Sequence, residues 1–135
     1  MEVTNQTKLK FLGVDFPMVN LYSEKPLTES KQIELNINPS VFYPKDSPND
    51  FKIIQDIEIS VEDYFNIEIR AIGHFQLQKV TEKEKETLIN VNASAIMFPY
   101  IRAFIATLTS NLGNVTGTLN IPPQFFKGDV KEISE

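Results

Sequence analysis

The sequence contains no cysteine, and only five of its 135 residues are glycine. The absence of cysteine excludes disulfide bonds, cysteine-ligated zinc and a thiol nucleophile. The sequence also contains no glycine-rich phosphate motif, no nucleophile elbow and no regular spacing of metal ligands. The remaining candidates for acid–base chemistry are the one histidine, His74, and the carboxylate pair Asp56 and Glu58, which no pattern places in a cleft. We therefore expect no enzymatic activity and no cofactor or metal.

A cluster of basic residues is also missing, and the net charge is −5. Binding to a phosphate backbone requires basic patches, so we expect no nucleic-acid partner. The N-terminus has neither the basic start nor the apolar stretch of a signal peptide. The longest apolar stretch, residues 93–108, contains Arg102 and is shorter than a membrane span, which needs about 20 residues. We expect a soluble cytoplasmic protein that does not insert into a membrane, folded as one domain over residues 1–135.

Alternation of apolar and polar residues predicts strands in the first half of the chain. The alternation is clearest over residues 65–77 and residues 53–61, and it recurs over residues 33–37. The segment 61–65, with the sequence VEDYF, is short enough to join the two clearest strands as a hairpin. One face of each of these strands is apolar and the other is polar, with Ile72 on the polar side as the exception.

The first strand, about residues 8–24, is less regular, because its apolar residues change sides near Pro17. A bulge there would produce this change, and a proline suits an edge strand. Residues 38–50 are rich in proline and Asx residues and are predicted to form a loop. We expect a meander of about four antiparallel strands over residues 8–79, with one apolar face that needs a cover.

The second half of the chain is predicted to supply this cover, as helices over about residues 81–113 followed by a C-terminal segment, residues 114–135. Thr81 with Glu84 three residues later is typical of a helix capping box. The helix that begins there is predicted to be short and to end near Asn90. The fold class is therefore α+β, with helices packed on one face of an antiparallel sheet.

The main helix, with the sequence NASAIMFPYIRAFIATLTSNLG, is predicted to begin at Asn92 or Ser94 and to end at Gly113. Pro99 lies just past its first turn. Apolar residues occupy more than one side of this helix, in a stripe and on a flank: Met97, Ile101, Phe104, Leu108 and Leu112, then Ala95, Phe98 and Ile105. Either the segment TLNIPPQFF covers the second apolar side, or the helix is buried between subunits.

These residues resemble the signature of the SecB-type protein-export chaperones. In that family an Asn-x-x-x-Ile/Leu-x-Phe-Pro-Tyr-x-Arg stretch opens the main helix, and a Pro-Pro-x-Asn-Phe-like stretch follows it. The matching positions here are Asn92, Ile96, Phe98, Pro99, Tyr100, Arg102, Ile105, Gly113, Pro122, Pro123 and Phe126. Phe125 stands where the family usually has Asn. The nine residues after Phe126, KGDVKEISE, stand where better-known members continue into a second long helix, which we therefore expect to be short or missing.

The resemblance implies a four-stranded sheet with helices on one face and a homotetramer built as a dimer of dimers. The main helices would be buried between the dimers, with an oligomer interface of Ile101, Phe104, Ile105 and Leu108. Arg102 would then need a carboxylate or a backbone carbonyl as its partner, because an unpaired buried charge is costly.

The resemblance also implies a holdase that binds unfolded preproteins and passes them to the SecA motor. Large, adaptable apolar side chains suit such a site. The expected client-binding residues are Leu12, Val14, Phe16, Met18, Phe42, Met97, Phe98, Phe125 and Phe126. In this family an acidic sheet face docks the motor, and the corresponding residues here are Glu34, Asp56, Glu58, Glu62 and Glu68.

Two other interpretations stay open. Some SecB-like proteins are dedicated chaperones of the antitoxin in a toxin–antitoxin–chaperone module, and the short C-terminus and Phe125 fit a diverged member of that kind. A small interaction protein that kept the fold and lost the chaperone surface is the third interpretation.

Overall fold

The computed structural model describes residues 8–122 and 131–133. Its sheet contains four antiparallel strands, which are β1 (Leu9–Ser23), β2 (Glu34–Phe42), β3 (Asp50–Val61) and β4 (Phe65–Leu77). A short strand, β5 (Lys131–Ile133), pairs in parallel with β2. The strand order is β1-β4-β3-β2-β5.

The order differs from the expected meander, because β1 pairs with β4 and not with β2. Residues 24–33 carry the chain across the end of the sheet, so the four long strands have the order of a Greek key. Alternation along a strand shows that the strand exists and which face is buried. It does not identify the neighbouring strand.

β1 forms one edge of the sheet, as expected for a strand that contains Pro17. Its register with β4 shifts twice, between Phe11 and Gly13 and again between Asp15 and Met18. The second shift confirms the bulge expected near Pro17. The first shift was not predicted; Gly13 has a φ of 115°, a conformation that glycine adopts readily.

The predicted loop at residues 38–50 begins later than expected, because β2 continues through Pro39 to Phe42. Val41 keeps the alternation and is buried, and a proline is tolerated near the edge of a sheet. The hairpin between β3 and β4 is confirmed. In its turn the Tyr64 N–H donates to the Val61 carbonyl at 3.0 Å, and Asp63 has a positive φ of 71°.

The helical cover is one continuous run and not two separate helices. It consists of α1 (Glu82–Thr87), a π-helical segment (Leu88–Ala93) and α2 (Ser94–Ser110). The capping box at Thr81 is confirmed, since the Thr81 hydroxyl accepts from the Glu84 N–H and the Glu84 carboxylate accepts from the Thr81 N–H, both at 3.1 Å.

α2 begins at Ser94, one of the two predicted residues, and Pro99 lies just past its first turn as expected. The predicted N-cap is wrong, because the helical run enters α2 directly from the preceding segment and neither Asn92 nor Ser94 caps its start. The π-helical segment explains the continuity. Ile89, Ala93 and Met97 are all buried at intervals of four residues. A π turn holds more residues than an α turn, and so it keeps these positions on the side that faces the sheet.

The run Glu82–Ser110 is long and apolar enough to cross a membrane by length and composition, so the length argument from the sequence does not hold. The core helix of a globular protein passes the same test. Here the buried side of α2 packs on the inner face of the sheet, where β3 and β4 contribute side chains with almost no exposed surface: Phe51, Ile53, Ile57, Ile59, Ile67, Ile69, Ala71 and Phe75.

Candidate functional site

The side of α2 that faces the sheet carries four residues to which the sequence analysis gave functional roles. Met97 and Phe98, expected to bind clients, are 0% and 1% exposed, and Ile101 and Ile105, expected to contact another subunit, are 0% and 2% exposed. Side chains without exposed surface reach neither a client nor a partner subunit. The structure therefore places these four residues in the core. Of the expected subunit interface, only Phe104 and Leu108 keep some exposed surface, and both are half-buried.

The opposite side of α2 is also apolar. Ile96 is 36% exposed and Tyr100 is 51% exposed, and Ala95, Pro99 and Ala103 lie beside them at the surface. We call these five residues the outer face of α2. The residue pattern does not identify this face, because the helix has two apolar stripes of similar composition and spacing alone does not tell which of them meets the sheet.

The edge strand β1 meets α2 through two aromatic contacts. The Phe16 ring stacks on the Phe104 ring with centroids 4.0 Å apart and planes within 11°. The Phe11 ring lies 5.1 Å from the Tyr100 ring and 5.3 Å from the Phe75 ring in the core. These contacts hold the edge strand against the helix.

Three expected client-binding residues come together along this edge. Leu12 lies at the first bulge and is half exposed, while Val14 and Phe16 are half-buried against the core. Val19 lies on the same strand and is 42% exposed. We call Leu12, Val14, Phe16 and Val19 the β1 apolar edge. Apolar side chains that remain exposed on an edge strand are candidates for association or ligand contact.

Two other expected client-binding residues lie elsewhere. The register pairs Met18 with Arg70 and Phe42 with Lys52, which puts both on the face of the sheet away from α2. This face is called the open face. Phe125 and Phe126 lie outside the described residues.

The carboxylates expected to dock a motor are all on the open face or in its hairpin. Arg70 donates two hydrogen bonds to Asp56, from Nε at 2.7 Å and from Nη2 at 3.0 Å. This hydrogen bonding raises the pKa of the Arg70 guanidinium above its ordinary value. Glu58 pairs in register with Glu68, so two carboxylates face each other across β3 and β4.

Glu34 begins β2 and pairs with Ser60, and Glu62 lies in the hairpin turn; both are exposed. His74 Nε2 contacts Asp15 Oδ2 on the same open face at 2.8 Å. Within residues 8–122 and 131–133 no group of three or more His, Asp or Glu side chains has the geometry of a metal site.

Arg102 has the kind of partner expected from its sequence context. Its Nε donates to the Ile121 carbonyl at 2.7 Å. The hydrogen bond ties residues 119–122 to the middle of α2, where the side chains of Leu119 and Ile121 are buried. The contact satisfies one donor of a half-buried guanidinium, which supports a structural role for Arg102.

The residues matched by a known family cover most of the chain. The family model described as Preprotein translocase subunit SecB matches residues 9–123. The chain belongs to the SecB family. An uncharacterized protein of Methanocaldococcus jannaschii is 28% identical over 130 residues, which is 91% of this chain and 79% of that protein.

Among named SecB proteins, the protein-export protein SecB of Orientia tsutsugamushi (strain Boryong) is 28% identical over 93 residues. The match covers 67% of this chain and 56% of the Orientia SecB. A solved structure of the Mycobacterium tuberculosis SecB-like chaperone Rv1957, in complex with a ChAD peptide from the Rv1956 HigA1 antitoxin, superposes with a TM-score of 0.70. It is 13% identical, and the match covers 88% of this chain and 89% of that one.

These comparisons confirm the α+β fold and the resemblance to SecB inferred from the motif in α2. They also support a function of the chaperone class for this SecB-family chain. The expectation of no enzymatic activity rests on membership of the SecB family.

Proposed function

We propose that this protein is a cytoplasmic holdase that binds unfolded preproteins and holds them for export through the SecA pathway. The observation that carries the proposal is the β1 apolar edge, where exposed Leu12 and Val19 lie on the same edge strand as half-buried Val14 and Phe16. A holdase needs apolar surface that accepts many sequences. Large apolar side chains on an edge strand supply it, because contacts with them do not depend on a particular partner side chain.

The proposal includes a homotetramer in which the outer face of α2 contacts another subunit. Ile96, Tyr100 and Ala103 present apolar surface to solvent in one chain, and small residues between larger ones let a second helix approach closely. Half-buried Phe104 and Leu108 border this face. The proposed interface therefore lies one stripe away from the one expected from the sequence, which was centred on Ile101 and Ile105.

The acidic open face is the proposed docking surface for SecA. Glu58 and Glu68 oppose each other across neighbouring strands, and like charges in that position repel. A basic partner would relieve this repulsion. The charge of Asp56 is already neutralised by its ion pair with Arg70. Glu34, Glu62 and the Glu58–Glu68 pair are therefore the stronger candidates for contacting a basic segment of SecA.

The first experiment is light scattering of a slowly refolding, aggregation-prone client with and without the protein, with the mass of the protein measured in parallel. Suppression near stoichiometric amounts by a species of about four subunits supports the proposal. Leu12→Asn should weaken suppression, whereas Tyr22→Asn should not, because Tyr22 is exposed on the same strand but on the open face. No suppression by a folded protein would refute the general holdase function.

A matched pair of variants tests the proposed subunit interface through the mass of the protein. Ala103→Glu places a charge on the outer face of α2 and should reduce the mass, whereas Thr28→Glu adds the same charge at the exposed connection between β1 and β2 and should not. If Ala103→Glu leaves the mass unchanged, the outer face of α2 is not the subunit interface.

A second candidate is a dedicated chaperone of an antitoxin. The observation that favours it is the structural match to the antitoxin-bound Rv1957 chain, which covers 88% of this chain and 89% of that one. A dedicated chaperone would leave unrelated unfolded clients unprotected and would stabilise an antitoxin encoded in an adjacent gene. Suppression of aggregation for several unrelated clients would argue against this candidate.

A further inference from the structure

Among the described residues, only part of the outer edge of β2 has a neighbouring strand. β2 contains nine residues, and β5 pairs with the last three of them, Ser40–Phe42. The described strand pairs leave the outer edge of residues 34–39 without a neighbour. A three-residue parallel pairing is short, and parallel ladders are slightly less stable per residue than antiparallel ones. An edge of this kind is a template for another strand.

The edge continues into a cleft between β2 and the start of the helical run. β5 runs in the same direction as β2, so a longer strand on this edge would pass Phe42 and reach Tyr43. Tyr43 lines a cleft of about 790 Å³ beneath α1. The other described lining residues are buried Val41 and Ile89, with Asn90 and the charged side chains of α1: Glu82, Lys83, Lys85 and Glu86.

We propose that the outer edge of β2 and this cleft form a strand-addition site for an extended segment of the client, and that β5 occupies the site in competition with it. The inference rests on the proposed holdase function and adds the mode of recognition. Pairing through the backbone holds a client regardless of its sequence, and the apolar floor at Val41 and Ile89 accepts one of its side chains.

A client strand fits this place better than a second copy of the chain. The cleft has an apolar floor and a charged rim, and its volume is in the range of a site for a few side chains. Two β2 edges brought together by a two-fold axis would pair with each other and leave the cleft unfilled. β5, in contrast, already follows the path that leads to the cleft.

The competition gives β5 a measurable effect on affinity. A site that is occupied most of the time by a tethered segment binds an outside ligand with an apparent Kd raised by the occupied fraction. If β5 occupies the edge nine-tenths of the time, freeing the edge lowers the apparent Kd about tenfold.

The test uses two changes with opposite expected effects. Ser40 and Lys131 are Cα partners, and the sequence contains no cysteine, so Ser40→Cys combined with Lys131→Cys gives one disulfide that locks β5 in place. Glu132→Pro fixes φ of the middle residue of β5 near −65°, away from the value of about −120° in a parallel strand, and should free the edge. The single variant Ser40→Cys and the variant Glu132→Ala, which keeps the backbone N–H, are the matched controls.

The readout is binding of a fluorescent peptide of alternating valine and threonine, measured together with suppression of client aggregation and with protein mass. The oxidised double-cysteine protein should bind the peptide at least about tenfold more weakly than its reduced form, and Glu132→Pro should bind several-fold more tightly than Glu132→Ala. Equal affinity in the oxidised and reduced forms, with aggregation still suppressed, would refute the competition and leave the holdase function intact. A change of mass in Glu132→Pro, without a change in peptide affinity, would assign the edge to a second copy. Absence of peptide binding and of suppression in every form would refute both proposals.

Discussion

Thr109 provides a sharp test of how the end of α2 is held. Its side chain has no exposed surface. The hydroxyl donates to the Ile105 carbonyl at 2.7 Å and accepts from the Leu119 N–H at 2.9 Å. The second bond attaches residues 119–122 to the helix. Thr109→Val replaces the hydroxyl with a methyl group of similar size and removes both bonds without opening a cavity.

The expected loss of stability follows from the group that is left behind. Leu119 is 5% exposed, so its N–H loses a buried acceptor, and an unsatisfied buried donor costs about 1–3 kcal/mol. The Ile105 carbonyl is affected less, because it lies within the helix. The added methyl group gives back less than about 0.8 kcal/mol of apolar burial. The net prediction is a free energy of unfolding lower by about 1–2 kcal/mol, which corresponds to a Tm lower by roughly 3–10 °C for a chain of this size.

The assay is urea and thermal unfolding followed by circular dichroism at a fixed protein concentration, because assembly makes apparent stability depend on concentration. Thr107→Val is the control: the same substitution on the same helix at an exposed position, expected to change stability by less than about 0.5 kcal/mol. Equal stability of Thr109→Val and the wild type would show that the Leu119 N–H is satisfied in another way. An equal loss in both variants would show that the effect is one of helix propensity.

Three further predictions concern other polar side chains. Gln55→Leu should raise the free energy of unfolding by about 1–3 kcal/mol in urea denaturation, because both polar side-chain atoms of Gln55 are buried without a partner among the described residues; a loss of stability would indicate a partner for the amide. Arg102→Met should lower it by about 1–2 kcal/mol, because the donor to the Ile121 carbonyl is lost, and an unchanged midpoint would contradict the role given to this bond. Hydrogen bonds from Lys8 and then from Thr81 lower the pKa of Glu84, so its contribution is present above the unfolded pKa, about 4.3, and is lost as the pH falls through the lowered native value. Hydrogen exchange should show α1 losing protection over that acidic range, and Glu84→Ala should lack the transition.

Much of the sheet could be predicted, because the alternation that identifies a strand and its buried face lies within a short stretch of sequence. In β3 and β4, buried and less buried positions alternate along the strand, and most of the buried ones are apolar, as the sequence indicated. The partner of β1 could not be predicted in this way, since pairing with β4 depends on the path of residues 24–33 across the sheet. Strand β5 has only three residues, too few for a periodic signal.

In the helical half, only the contacts between residues close in sequence could be predicted. The capping box at Thr81 is a contact between neighbours in sequence and was predicted correctly. The continuity of the run through residues 88–93 was not, because a π turn has no clear signature in residue types. The turn also sets the rotation of α2 relative to the sheet. It therefore decides that Ile101 and Ile105 are core residues and that Ile96 and Tyr100 are exposed.

The two apolar surfaces of this chain are not independent of each other. Phe11 contacts Phe75 in the core and also Tyr100 on the outer face of α2, and Phe16 on the β1 apolar edge stacks on Phe104 beside that face. A partner subunit that covers the outer face of α2 would therefore also fix the aromatic side chains that hold β1. Under the proposed function, assembly would then determine how much of the β1 apolar edge stays open to a client, and a variant that breaks the assembly should change client binding even when its own residue never touches the client.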